Sequence, residues 1–90
     1  MVVLSVTPNT GARSDQVAVT IAGTCFDLGA AIQTISVSGI GVSVLNPIFL
    51  DAQTAQCVFD IGAVAPLTAR SVTVHTGLLT HTLLNAFTVA

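Results

Sequence analysis

Two thiols, two imidazoles and four carboxylates are the groups in this chain that could do chemistry: Cys25 and Cys57, His75 and His81, and Asp15, Asp27, Asp51 and Asp60. Cys25 and Cys57 both fall on positions expected to face a core, one just after a strand and one in a strand expected beside it. Joined, they would close a loop of about 33 residues and contribute roughly 3–4 kcal/mol by restricting the unfolded chain. Left unjoined, they would pack as small apolar side chains. His75 and His81 flank the segment Thr76-Gly77-Leu78-Leu79-Thr80. A three-residue loop over Gly77–Leu79 would bring the two rings opposite each other, about 5 Å apart at Cβ, where they could hold a metal or respond to pH. A four-residue loop would turn them to opposite faces. Two ligands fall short of the three or four that a zinc site takes, so solvated strand surface is the expected fate of both rings.

Catalysis is hard to assemble from the remaining alphabet. The chain has no Glu, Lys, Tyr or Trp, which removes most general acids and bases and most stacking platforms. Ser38-Gly39-Ile40-Gly41 is not a nucleophile elbow, because no Gly precedes the Ser at the required spacing and no helical pattern follows. The four Asp are scattered without the spacing of a calcium loop. Arg13-Ser14-Asp15 lacks the central Gly of an integrin-type tripeptide and reads as a loop ion pair worth under about 1 kcal/mol. The expectation is a non-enzyme without metal or cofactor.

The elements that must position these residues follow from composition and alternation. Ninety residues allow one domain, 1–90. Hydrophobic residues make up 52% and charged residues 7%, with a net charge of −2, against about a quarter charged in ordinary soluble chains. Two arginines and no lysine give no electrostatic footprint for nucleic acid. The most apolar stretch, Ile32 to Leu50, is interrupted by Gln, Thr, Ser, Gly, Asn46 and Pro47 and does not read as a membrane span. Met1 to Ser5 lacks the basic start and long apolar run of a signal peptide. Period-two alternation dominates. It predicts strands over Val2–Thr7, Gln16–Ala22, Ile32–Val37, Val42–Leu45, Thr54–Ile61, Ala69–Thr76 and Thr80–Val89, separated by turn residues such as Pro8-Asn9-Thr10-Gly11 and Gly39-Ile40-Gly41. About seven short antiparallel strands without a helix predict an all-β sandwich of two sheets.

Several of these segments resemble a known family. Leu4-Ser5-Val6-Thr7-Pro8-Asn9-Thr10-Gly11 resembles the opening strand and turn of immunoglobulin-like, plexin, transcription-factor (IPT/TIG) domains, and Val17 to Phe26 is similar to that family's second strand with its Gly-x-x-Phe turn. The closing segments, Ala69 to Val74 and Asn85-Ala86-Phe87-Thr88-Val89, extend the likeness across nearly the whole chain. The resemblance implies an immunoglobulin-like sandwich that binds, spaces or displays. The basic loops of the family's DNA-binding members are missing here.

The same composition carries a functional expectation. A domain of this size hides only about 60–65% of its unfolded surface, and with few charges the exterior must be Thr, Ser, Ala, Val and Gly. Large uncharged surfaces tend to be contact surfaces. The expected role is structural: a surface-displayed assembly module such as a virion (capsid) decoration protein or surface-filament subunit. Its partners would be other protein chains, copies of itself or a larger scaffold such as a capsid or surface layer. An adhesion, spacer or carbohydrate-enzyme accessory domain of a larger extracellular protein is the competing expectation. Locally, Pro47-Ile48-Phe49-Leu50 escapes the alternation. As a connecting loop it would cap the sandwich end or, through Ile48, Phe49 and Leu50, form a docking patch.

Overall fold

The computed structural model describes residues 1–31 and 33–90 and contains, among these, eight strands and no helix. In chain order they are β1 (Val2–Thr7), β2 (Thr10–Gly11), β3 (Gln16–Thr24), β4 (Gln33–Val37), β5 (Val42–Asp51), β6 (Thr54–Ile61), β7 (Ala69–Thr76) and β8 (Leu79–Val89). Ile32, expected to open the third strand, lies outside the described residues. The strands form two four-stranded sheets, a first with order β1-β3-β6-β5 and a second with order β2-β8-β7-β4.

Alternation explains the core. On β6, Ala55, Cys57, Phe59 and Ile61 point between the sheets, and on β3 Val19 and Ile21 do the same. The second sheet answers with Ile35, Val72, Val74, Phe87 and Val89. Phe59 of the first sheet meets Phe87 of the second edge to face, with ring centroids 4.9 Å apart, a geometry that adds about 0.5–1.5 kcal/mol to simple burial.

Beyond small shifts at the ends, with β3 running on past Ala22 to Thr24 and β8 starting at Leu79, the structure departs from the expected strands in three places. Thr10–Gly11 forms a short strand of its own, and it pairs in parallel with Thr88 and Val89, so the sandwich is not wholly antiparallel. The chain therefore leaves the first sheet after β1 and joins the second at β2. Next, β5 does not stop at Leu45 but continues through Asn46-Pro47 to Asp51. Proline is tolerated because β5 is an edge strand, whose outward face needs no amide donor. The register slips between Leu45 and Ile48, with Asn46 in the left-handed region at φ 50°, so the one extra residue is absorbed as a bulge. Finally, β1 is bulged between Val3 and Ser5, which lets both Val3 and Val6 face inward despite their odd separation.

Candidate functional site

The two cysteines are far apart in the fold and both thiols are free. Cys57 stands opposite Val19 in the β3–β6 ladder. Cys25 lies six residues beyond Val19, past the end of β3, where the Phe26 amide donates to the Ala52 carbonyl at 2.9 Å. At about 3.3 Å per residue, the five residues of β3 from Val19, the partner of Cys57, to Thr24 set Cys25 well over 10 Å from Cys57, beyond the roughly 7 Å Cα limit for a bridge. The expected disulfide is thus corrected. Parity fails at Cys25 because the chain turns there, at φ 56°, leaving it exposed while Cys57 is buried. Burial pushes the Cys57 thiol from 9.0 up to about 12, since desolvation disfavours the thiolate. Neither cysteine has the setting of a nucleophile.

The final hairpin gives the two histidines the opposite-face arrangement expected of a four-residue loop, but through a shorter turn. Thr76 pairs with Leu79 across a two-residue turn, Gly77-Leu78, with Gly77 at φ 60°. That register sets His75 opposite Thr80 and His81 opposite Val74, so the rings occupy opposite faces of the second sheet. His75 Nδ1 shares a 2.6 Å hydrogen bond with Thr80 Oγ1 on the outer face. His81 turns towards the sheet interface, where its Nδ1 accepts the Val3 N–H at 2.9 Å. β1 is an edge strand, so that amide is available to the other sheet. The pair cannot share a metal ion. Among the described residues, no group of three or more metal-capable side chains comes together.

Both arginines support loops at one end of the sandwich. Arg70, in β7, is 2% exposed. Its Nε donates to Thr68 Oγ1 (2.9 Å), Nη1 to the carbonyls of Ser38 (3.0 Å) and Ile40 (2.8 Å), and Nη2 to the Pro66 carbonyl (3.0 Å). Alternation at Arg70 points inward like Val72 and Val74, so the guanidinium acts as a planar clamp beneath the β4–β5 and β6–β7 loops. Gly39 closes over it at φ 79°, where a Cβ would lie 2.9 Å from Nη1. Arg13 donates Nε–H to the Ala65 carbonyl at 2.6 Å, a backbone partner rather than the expected Asp15 carboxylate.

The exterior has two unlike broad faces. On the second sheet the ladders align Thr34, His75 and Thr80 in one row and Ser36, Thr73 and Thr82 in the next. Thr73 and Thr82 hydroxyls bond each other at 2.8 Å. Hydroxyls coat these two rows, and Leu84, 73% exposed, stands on the same outer face. On the first sheet the corresponding rows are Leu45, Val58 and Ala18, then Ile48, Gln56 and Thr20. Ile48 and Leu50 are 55% and 53% exposed. Beside the β5 bulge lies a shallow groove of about 260 Å³ lined by Ala18, Thr20, Asn46, Ile48, Gln56 and Val58. The total accessible surface, 4724 Å², is close to the roughly 4,900 Å² expected for a folded chain of this mass, so the exposed aliphatics do not reflect loose packing.

The Ile48-Phe49-Leu50 expectation divides accordingly. The segment is strand, not connecting loop, because the bulge restores pairing at Ile48 with Gln56 and at Phe49 with Ala55. Phe49 points inward, edge to face with Phe26 at 5.5 Å between centroids. Ile48 and Leu50 point out. Gly23 makes that aromatic pair possible, since a Cβ there would sit 2.5 Å from Phe26 Cζ. Sequence reasoning missed Arg70, whose inward parity next to Val72 and Val74 was the available signal, and it missed that Leu45 and Val58 would join the patch. Comparison with known protein families, with curated proteins and with solved structures finds no match.

Proposed function

We propose that this chain is a non-catalytic, immunoglobulin-like structural module, displayed on a surface such as a virion or filament, that works by burying the outer face of its first sheet against protein. The carrying observation is the contrast between the two broad faces. The second sheet's outer rows carry hydroxyls with Leu84 as their exposed large aliphatic, whereas the first sheet places Leu45, Ile48, Leu50 and Val58 outward as a cluster. Contiguous apolar surface of this kind marks contact sites. The immunoglobulin-like reading is supported by the neighbour relations: β1-β3-β6-β5 and β8-β7-β4 match the two sheets of a constant-type immunoglobulin domain. The likeness of Leu4 to Gly11 and Val17 to Phe26 to the IPT/TIG family agrees with this and supplies the binding-and-display class, since a fold alone does not name a function.

The lack of catalysis in this reading rests on chemistry. The thiol with the shifted pKa is buried and protonated, the two imidazoles face opposite ways, and the buried guanidinium is saturated by loop oxygens. Light scattering on the purified chain tests the reading. A mass that rises with concentration above the 9.1 kDa of one chain is expected. A single, constant 9.1 kDa species at millimolar concentration, with no apolar-dye binding, would overturn it.

A further inference from the structure

Resting on that reading, we infer that the occupant of the first sheet's outer face is the same face of a second copy, the two related by a two-fold axis. The dimensions favour a broad face over the ends. The molecule measures 36 × 21 × 19 Å, so an end has an outline of roughly 400 Å² and a long side one of roughly 700 Å², on the scale of the ~800 Å² per partner of a stable interface.

The edge of the sheet is a poor alternative. Pro47 removes a donor from the middle of β5, and the Asn46 bulge bends the strand away from straight pairing. A partner adding a strand there would lose the ladder at its centre. The face itself, in contrast, carries both a ridge and a hollow. Ile48 and Leu50 project from β5 beside a groove of about 260 Å³, and a cavity of roughly 150 Å³ already holds a benzene ring. A two-fold axis places the ridge of each copy at the groove of the other, as isologous packing requires. No charge interrupts the rows Leu45–Val58–Ala18 and Ile48–Gln56–Thr20. The acids nearest the patch, Asp51 and Asp60, lie at its two ends, where exposed like charges cost little and are screened by salt.

Sedimentation velocity of the intact chain and three variants tests this: Ile48→Lys and Leu45→Lys on the first sheet, and Thr82→Lys on the second. All three sites are exposed, and circular dichroism confirms folding before the run. The expected result is a dimer for the unmodified chain and for Thr82→Lys, at least about tenfold weaker dimerisation for both first-sheet variants, and association that holds or tightens as salt is raised. If one first-sheet variant does not fold, the other decides. A dimer that survives both first-sheet substitutions would overturn this inference while leaving an assembly role through another surface. An open polymer abolished by Ile48→Lys would overturn the two-fold pairing alone. A strictly monomeric parent chain would overturn this inference, and a monomer that also binds no apolar dye would overturn the proposed function with it.

Discussion

The Val3 amide and the His81 imidazole, 78 residues apart in sequence, meet at 2.9 Å and join the edge strand of one sheet to the other sheet. Because Nδ1 accepts, the ring carries its proton on Nε2 when neutral. Nitrogen-15 shifts of His81 will report the Nε2–H tautomer. His81→Ala leaves the Val3 N–H without its partner, an expected loss of about 1–2 kcal/mol, or several degrees in thermal midpoint for a domain of this size.

Arg70 carries a larger share of stability. Its guanidinium satisfies three carbonyls and one hydroxyl from two loops. Arg70→Met retains the aliphatic stem but strands those oxygens, with an expected cost of roughly 2–4 kcal/mol by chemical denaturation. Arg70→Lys recovers little, because one ammonium cannot span the same fork of acceptors. A loss under about half a kcal/mol would show that the loops hold themselves.

The two thiols differ in accessibility. Exposed Cys25 is expected to alkylate in the native protein, whereas Cys57 reacts only on unfolding. Non-reducing mass spectrometry will show two free thiols and no intrachain bridge. Since the Cys57 value is raised in the fold, the unfolded chain loses that proton first, and stability falls as pH rises from about 9 towards 12. Below about 9 this group leaves stability unchanged. With no lysine or tyrosine in the chain, Cys57→Ala should flatten most of that alkaline slope.

Gly23 is a further local test. A methyl group there meets the Val2 carbonyl at 2.4 Å and the Phe26 ring at 2.5 Å. Gly23→Ala is expected to destabilise by about 1–3 kcal/mol through overpacking and to perturb the ring signals of Phe26 and Phe49 in NMR spectra.

The strands with clean alternation were legible in the sequence: Val19-Thr20-Ile21 on β3, Cys57-Val58-Phe59 on β6 and Val72-Thr73-Val74 on β7 occupy the faces their parity predicts. What parity cannot supply is register. A single shift in turn length moved His75 and His81 to opposite faces, and two bulges moved Val3 and Ile48 out of step. Pro47 read as a stop signal because a sequence does not declare which strand will lie at an edge. Cys25 looked buried because its left-handed turn is invisible to alternation. The docking patch was legible only in part, as Ile48 and Leu50. Leu45 and Val58 join it through cross-strand pairing, a property of the sheet rather than of any segment.

The central claim is that the first sheet's outer face is covered in the working protein. Solvent paramagnetic relaxation of the methyl groups, measured in dilute and concentrated samples, addresses it most directly. The account predicts that the methyls of Leu45, Ile48, Leu50 and Val58 become shielded as concentration rises, while those of Val64 and Leu78 at the two ends stay open to the probe. Equal shielding at every site, or protection confined to Val64 and Leu78, would contradict it.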